Sequence, residues 1–597
     1  MVRTMRLLIE YDDYQGVVLL TPDGIGDYEW GSFVRIISDY TSSYVHNRKS
    51  LEVPFRVFLG IRIEVAQFLR NHGIQASFSP EVRSILQEAN RKNYSVALKT
   101  PMWSRHDVQE RLSASGFTRV LTENQMNNVC HLAPLPAGAT FSVPGAGKTT
   151  EALAYFFCNA KPEDRLLVVG PLSAMGAWET QMDACCPGRQ YRFVRLRGGE
   201  KAVDRLLRDN PRFMLISYGQ FATVSRIVKE YLSYHSVFMF LDESHRIKSG
   251  HSGVSPQEIL NVSYLPERKL ILSGTPCPQS INDLIPQFEF LYPDRAATED
   301  NVVTLFQPIY VRTTKGQLGI PPVIHQRIIL DMTPLQREVY RAIRSETKRQ
   351  MLIMLSDSEK YSLRDIGKRI MKVMEFVSNP SLLANDLEFI FDKKLGDLLS
   401  TDSGPKIEYT CQRARQLASE GKKVIIWSQF VKNVLLITER LKDIGADCIY
   451  GGISTGDEDE EDTREWKIKQ FHENPEKMVL VMNPSAASEA ISLHKACQYA
   501  IYVDRSFNAA HYLQSEDRIH RLGLAPDQSP IVEIVECRDT IDEIINQRLL
   551  FKVSTMANAL NDASLNVEAI PYDIDFSTED MSSDDIKAVI DYFFGED

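Results

Sequence analysis

Two short stretches hold residue types that could handle a polyphosphate. In "SVPGAGKTTE", Ser142 to Glu151, the run Gly145, Ala146, Gly147 leads into Lys148, Thr149 and Thr150. The two glycines let backbone amides turn toward phosphate oxygens without Cβ interference. Lys148 brings a point charge, and the Thr149 hydroxyl can ligate magnesium. Ser142 stands where a phosphate-binding loop of this kind usually starts with glycine. In "FMFLDESHRIKSG", four apolar residues run into Asp242 and Glu243. Adjacent carboxylates at the mouth of a buried strand repel each other and lose hydration, so a cation must offset the cost. Asp242 is suited to hold magnesium with Thr149, and Glu243 to orient and deprotonate an attacking water, the pair that in-line phosphoryl transfer requires. Either stretch alone would pass for a surface turn. Together they point to ATP with Mg2+.

These residues need elements to hold them. "RLLVVG", "RFMLIS", "SVFMFL" and "KLILSG" are short runs, apolar on both faces, each ending in a polar or small-residue loop. Separated by helical patterns, they indicate a parallel sheet covered on both sides, with ligands at the C-terminal strand ends. The pattern returns after Gly404 in "KVIIWS", "MVLVMN" and "YAIYVD", a second α/β sheet in tandem. Between them, residues 333–400 read as helical. "RLLIEY", "GVVLLT" and "RIEVAQFLRNHGI" make the first hundred or so residues a further α/β region without a catalytic constellation. Within it, "NRKNYSVALK" mixes basic residues with a tyrosine, the composition of a nucleic-acid contact but also of a plain solvated face.

Composition excludes several classes. The 597 residues are enough for several domains, and no apolar run approaches the roughly 18 residues of a membrane span. The start carries no secretory pattern, and nine scattered cysteines without a C-x-x-C pair argue for a reducing compartment and against structural zinc. A cytoplasmic location is the expectation. Net charge is −11, which disfavours a nucleic-acid partner on bulk electrostatics. The acid is uneven, however. "DEDEED" spans Asp457 to Asp462, and residues 572–597 hold nine acids against one lysine. Set aside as solvated segments, they leave a near-neutral body in which a basic groove is possible. Ile586, Val589, Ile590 and Phe593 recur at helical spacing in that tail. An exposed, solubilising tail is the simpler expectation; a docked helix that occupies such a groove as a brake is the alternative.

Beyond these stretches the chain resembles the Snf2-family ATPases of helicase superfamily two, of DEAH type, over roughly residues 121–550. "LDESHRIKS" is similar to the DEAH motif, with His245 as a coupling residue. Gln125 in "LTENQMNNV" matches the glutamine that reads adenine. "VVGPLSAMGAWETQM" resembles motif Ia through Pro171 and Trp178, and "LILSGTPCPQSINDLIPQFEFL" motif III through Ser273, Gly274 and Thr275. "IYVRTTKGQLGIPPV" resembles the link into the second lobe through Arg312 and Lys315, and "RIMKVMEFVSNPSLL" the helical segment ending in Asn-Pro. "VIIWSQFVKNVLLITERL" is similar to motif IV around Ser428 and Gln429, and "YLQSEDRIHRLGL" to motif VI with Gln514, Arg518 and Arg521. Continued as a helix, that last spacing puts Gln514, Arg518 and Arg521 on one face, two of them arginines able to meet a γ-phosphate. Motif V departs from the family: "SAASEAISL" has Ala490 and Ser492 where glycine and asparagine are usual, and Phe507 replaces a frequent tryptophan.

The resemblance implies two tandem RecA-like parallel-sheet lobes with a helical insertion and a separate N-terminal α/β domain. The expected boundaries are 1–115 for the N-terminal domain, 116–300 for lobe 1, 301–403 for linker and helical insertion, 404–550 for lobe 2 and 551–597 for the acidic tail. It also implies an ATP hydrolase that moves on, or remodels proteins on, double-stranded DNA. Pro171, Trp178, Ser428, Gln429, Ser485 and Ser492 are the residues it places on nucleic acid. Lacking the long insertions and accessory modules of nucleosome remodellers, the chain resembles a compact bacterial or viral member. A nucleotide-gated binding switch, and a motor acting on RNA or on a DNA-bound polymerase, remain open alternatives. A protein partner would use the N-terminal domain or the acidic tail. No membrane is expected.

Overall fold

The computed structural model describes residues 5–12, 17–40, 45–46, 50–91, 98–188, 191–250, 253–356, 363–383, 403–454, 460–484, 493–507, 509–525, 527–562, 565 and 583–594. The chain divides into two compact units, Met1–Thr313 and Thr314–Asp597.

The first unit carries two sheets. Near the N-terminus, Arg6–Asp12 pairs antiparallel with Val17–Asp23 and parallel with Gln75–Phe78, within a mixed five-stranded sheet. The alternation in "RLLIEY" buries Leu7 and Ile9 with Val18, Leu20, Leu51 and Val53 under the helices Asp27–Tyr40 and Arg62–Asn71. Tyr264, from beyond this region in sequence, enters the same cluster and meets the Tyr11 hydroxyl at 2.6 Å. The N-terminal layer is therefore packed on its neighbour. The helix Arg105–Ser115, capped by Ser104 and Asp107 and ended by Gly116, belongs with that neighbour too: Arg111 reaches the Cys158 carbonyl at 3.4 Å.

The second sheet of this unit is wholly parallel. Its seven strands run, across the sheet, Tyr310–Val311, Ala137–Thr140, Arg268–Leu272, Val237–Asp242, Arg165–Gly170, Phe213–Ser217 and Phe193–Arg195. The apolar runs noted above are its strands, buried on both faces as parallel strands must be. The sheet reaches past residue 300, because Tyr310–Val311 completes its edge.

The second unit holds a six-stranded parallel sheet ordered Ile324–Leu330, Ile531–Cys537, Tyr499–Tyr502, Val424–Trp427, Val479–Met482 and Ala446–Ile449. What reads in sequence as linker and helical insertion is mostly part of this body. Ile324–Leu330 is a strand of the sheet, and the helices Pro334–Ser356 and Leu363–Ser378 bury Val339, Ile343, Ile370 and Val373 in one core with Trp427 and Tyr502. Their apolar stripes need a surface to cover, and a parallel sheet offers one.

The acidic tail corrects the expectation of an exposed segment. Ser583–Phe594 is a helix whose Ile586, Val589 and Phe593 are buried in that same core. Asp585, fully buried, lies 2.9 Å from Arg548 and 2.6 Å from Lys552. In the other acidic run, Glu460, Glu461 and Asp462 are exposed, as a solvated segment requires; residues 457–459 lie outside the described residues. All nine cysteines are buried thiols. No described helix is long and apolar enough to cross a membrane.

Candidate functional site

The C-terminal ends of three adjacent strands in the first unit carry the expected phosphate chemistry. After Ala137–Thr140 the chain turns through Gly145 and Gly147, both at φ +87°, into the helix Lys148–Asn159. A Cβ at Gly147 would stand 2.2 Å from Gln125 Nε2, and at this φ any side chain would strain the backbone. Gln125 Nε2 donates to the Ala146 carbonyl (3.0 Å), and Oε1 accepts from the Thr122 amide (3.0 Å). The residue expected at adenine thus also braces the loop. Ser142, the departure from glycine, is fully buried and accepts the Thr313 amide at 3.0 Å. Its hydroxyl joins a network in which Glu151 accepts from Asn128 (2.8 Å) and Thr140 (2.7 Å). Burial pushes the Glu151 carboxyl up, opposed by those two bonds and by Lys148. Thr149 is half-buried, and Thr150 is buried, its hydroxyl donating to Gln181 at 3.1 Å.

Next to this strand, Arg268–Leu272 ends in Ser273, Gly274 and Thr275. A Cβ at Gly274 would come 3.0 Å from Pro144 Cδ and 3.7 Å from Lys148 Nζ, so the absence of a side chain lets the loop and its lysine approach. One strand further, Val237–Asp242 delivers the acid pair. Asp242 is pushed up by burial, against the Trp178 indole, Lys148 and the Glu243 amide. Trp178 Nε1 donates to Oδ2 at 2.8 Å and the Glu243 amide to Oδ1 at 3.0 Å. Glu243 has φ +51°, the left-handed region that a non-glycine residue enters only when its surroundings enforce it. That turn carries its carboxylate away from Asp242's partners and to 3.4 Å from His245 Nδ1. The same nitrogen lies 3.0 Å from Ser273 Oγ, which accepts the Thr275 amide, so the acid pair and the Ser-Gly-Thr turn are joined through one imidazole.

A hydroxyl and a carboxylate are hard oxygen donors, suited to Mg2+ bound through few protein ligands and completed by phosphate and water. Among the described residues no group of three or more His, Cys, Asp or Glu could hold a metal. The cradle at Gly147 and the approach of Lys148 fit a triphosphate.

In the second unit the helix Ala509–Glu516 ends before the arginines. The one-face expectation for Gln514, Arg518 and Arg521 is therefore corrected. The Arg518 and Ile519 amides bond three residues back, to Ser515 (3.1 Å) and Glu516 (3.0 Å), and the Leu493 amide takes the Arg518 carbonyl at 2.8 Å. The Asp517 and His520 amides still bond four residues back, to Leu513 (3.0 Å) and Glu516 (2.9 Å), so the segment is a mixed turn and no longer a regular helix. Arg518 is buried, its Nε donating to the Gln514 carbonyl at 2.7 Å, and Arg521 is half-buried.

The nucleic-acid expectations fare differently. Trp178 is 1% exposed and spent on Asp242, and Pro171 is buried, so neither offers a surface to a duplex. Ser428 is also fully buried and donates to Asp504 Oδ2 at 2.6 Å, while the Gln429 amide donates to Oδ1 at 2.8 Å and its side chain is buried. Ser378 joins the same carboxylate at 2.6 Å, so this group pins the Asn-Pro segment to the sheet. Ser485 and Ser492 lie outside the described residues, as do residues 92–97 of "NRKNYSVALK". Asp504 and the Asn128–Glu151 pair escaped sequence reasoning; the one signal available was Asn128 standing three residues after Gln125 on the helix Glu123–Leu132.

Residues 141–382 match the SNF2-related domain and residues 405–523 the helicase conserved C-terminal domain. Among curated proteins, the chain is 26% identical to the CHD3-type chromatin-remodeling factor CHR7 of Arabidopsis thaliana, over 64% of this chain and 32% of that one. It is 24% identical to a probable chromatin-remodeling complex ATPase chain of Oryza sativa subsp. japonica (67% and 36%). It is 26% identical to the chromodomain-helicase-DNA-binding protein 1-like of Mus musculus (68% and 46%). The chain thus spans from about a third to under half the length of these relatives. Among solved structures, the Sulfolobus solfataricus SWI2/SNF2 ATPase core in complex with dsDNA matches at a TM-score of 0.32 and 19% identity, over 79% of this chain and 97% of that one.

Proposed function

The chain belongs to the Snf2 family of helicase superfamily two, and from that premise we propose that it is an ATP hydrolase coupling turnover to movement on, or remodelling of, double-stranded DNA and its protein complexes. The observation that carries the ATPase reading is the convergence of Lys148, Asp242, Glu243 and the Ser273–Thr275 turn on neighbouring strand ends of one parallel sheet. Lys148 and the loop amides hold the β- and γ-phosphates. Asp242, oriented by Trp178, would hold Mg2+ with Thr149, and the ion would supply charge neutralisation at the transferred group. Glu243 takes the proton of the attacking water, and His245 reports on the site to Ser273. Gln125 meets the adenine with the N–H that Ala146 does not use. Arg518 and Arg521 meet charge that develops on the γ-phosphoryl oxygens.

Duplex DNA as the substrate is supported by the family and by the chromatin-remodeling and DNA-binding names of the relatives. The deciding experiment measures steady-state ATP turnover alone and with duplex DNA, single-stranded DNA or duplex RNA. Stimulation by duplex DNA above the other two is expected, and Lys148→Ala should reduce every rate to background. Turnover that is equal with and without nucleic acid would sink the motor reading; turnover surviving in Lys148→Ala would sink the site.

A further inference from the structure

Residues 312–315, "RTTK", hold on to the candidate machinery of each unit from a single short piece of chain. In the first unit the Arg312 guanidinium donates to the Phe141 carbonyl and reaches the Gly274 carbonyl at 3.4 Å. Those carbonyls belong to the entry of the phosphate loop and to the Ser-Gly-Thr turn. Thr313 continues the grip. Its amide donates to Ser142 Oγ (3.0 Å), its carbonyl accepts the Val143 amide (3.0 Å), and its hydroxyl accepts from Asn128 (3.0 Å). The serine that departs from the usual loop glycine therefore ties the loop to this segment.

In the second unit Thr314 and Gln317 cap each other, and Lys315 turns into the arginine segment. Lys315 Nζ lies 2.6 Å from Asp517 Oδ1, 3.7 Å from Glu516 Oε1 and 2.8 Å from His520 Nδ1. The lysine donates there, so His520 accepts at Nδ1 and donates from Nε2 to the Pro321 carbonyl at 2.6 Å. His325 Nε2 completes the group at 2.7 Å from Glu516 Oε2. Burial pushes the Glu516 carboxyl up, but His325 and Lys315 outweigh it and hold it well below the ordinary carboxylate range. Glu516, Asp517 and His520 all flank Arg518 in sequence.

We propose that Lys315, within the second unit, is a positioning residue for Arg518. The proposal rests on the ATPase reading above. Its physical basis is competition for a carboxylate. With Lys315 in place, Asp517 has a cation of its own. Without it, Asp517 is a buried carboxylate next in sequence to Arg518, and the guanidinium that should answer the γ-phosphoryl group is diverted and neutralised.

The test compares the wild type with Lys315→Met, Asp517→Asn and Arg518→Ala, and with Lys315→Met combined with Arg518→Ala, on the full chain with duplex DNA. Lys315→Met should lower kcat about tenfold or more below its melting temperature, with the KM for ATP unchanged, and Asp517→Asn, which removes the carboxylate that would divert the arginine, should lose far less. In the Arg518→Ala background, Lys315→Met should bring no further loss, since it acts through that arginine. Wild-type kcat in Lys315→Met would overturn the proposal. So would a loss that multiplies undiminished with Arg518→Ala, or an equal loss in Asp517→Asn, or one accompanied by loss of ATP affinity, which would assign the lysine to the fold. Absence of turnover in the wild type would instead refute the ATPase reading itself.

Discussion

Glu243 and Trp178 show how chemistry is divided among side chains at this site. Glu243 stands on a left-handed residue, and its carboxylate does not share the role that Asp242 plays. Glu243→Gln keeps shape and hydrogen bonding and removes the base. ATP binding should persist while turnover falls about a hundredfold or more, read by nucleotide binding alongside steady-state hydrolysis. Failure to bind ATP would hand Glu243 to the metal or the fold. Trp178 serves Asp242 from behind, through an N–H···O bond of 2.8 Å. A hydrogen bond to a charged group contributes roughly 1.5–3 kcal/mol. Trp178→Phe should therefore raise the Mg2+ concentration needed for half-maximal turnover while DNA affinity stays at the wild-type value. A selective loss of DNA binding would restore the residue to the nucleic-acid surface.

At the scale of elements, the C-terminal helix Ser583–Phe594 is part of the core. Asp585 neutralises Lys552 and Arg548, and Lys552 also donates to the Phe507 carbonyl at 2.6 Å, in the segment that leads to the Ala509–Glu516 helix. Tyr592 adds a cation–π partner for Arg344, 4.6 Å from the ring centroid. Asp585→Ala leaves a buried ammonium without its counter-charge, which costs about 3–5 kcal/mol. Urea unfolding should show the midpoint of the second unit falling accordingly, and an unchanged midpoint would mean that the helix is not docked in solution. The acidic composition of the tail concealed this, because charge counts average over a helix face whereas docking depends on a few positions.

For the whole molecule, the prediction concerns Arg521, which lies far from Lys148 in sequence and in the other unit. Arg521→Ala should lower DNA-stimulated turnover by about a thousandfold, with only a modest change in ATP affinity, because its charge is needed in the transition state. Arg521→Lys should not rescue, since a point charge lacks the planar fork that spans two phosphate oxygens. Single-turnover hydrolysis with duplex DNA checks both. Wild-type rates in Arg521→Ala would separate the second unit from the chemistry and refute the motor reading.

Residue order alone determined the two parallel sheets, since apolar runs too short for helices, alternating with helical patterns, bury as parallel strands covered on both faces. It also determined the loop at Gly145–Lys148 and the acid pair, because phosphate chemistry demands those residue types at strand ends, and local spacing suffices to express it. Only tertiary structure decided the rest. Trp178 and Ser428 look like exposed contacts in a motif, yet each is turned inward by a carboxylate distant in sequence, Asp242 or Asp504. The arginine turn escaped a helical reading because a backbone bond from Leu493, on another segment, captures the Arg518 carbonyl. Lys315 sits in a polar linker and acquires meaning only from Asp517. A pattern of residues reports the periodicity of burial; which buried polar group meets which is set by three-dimensional proximity, and no local rule encodes it.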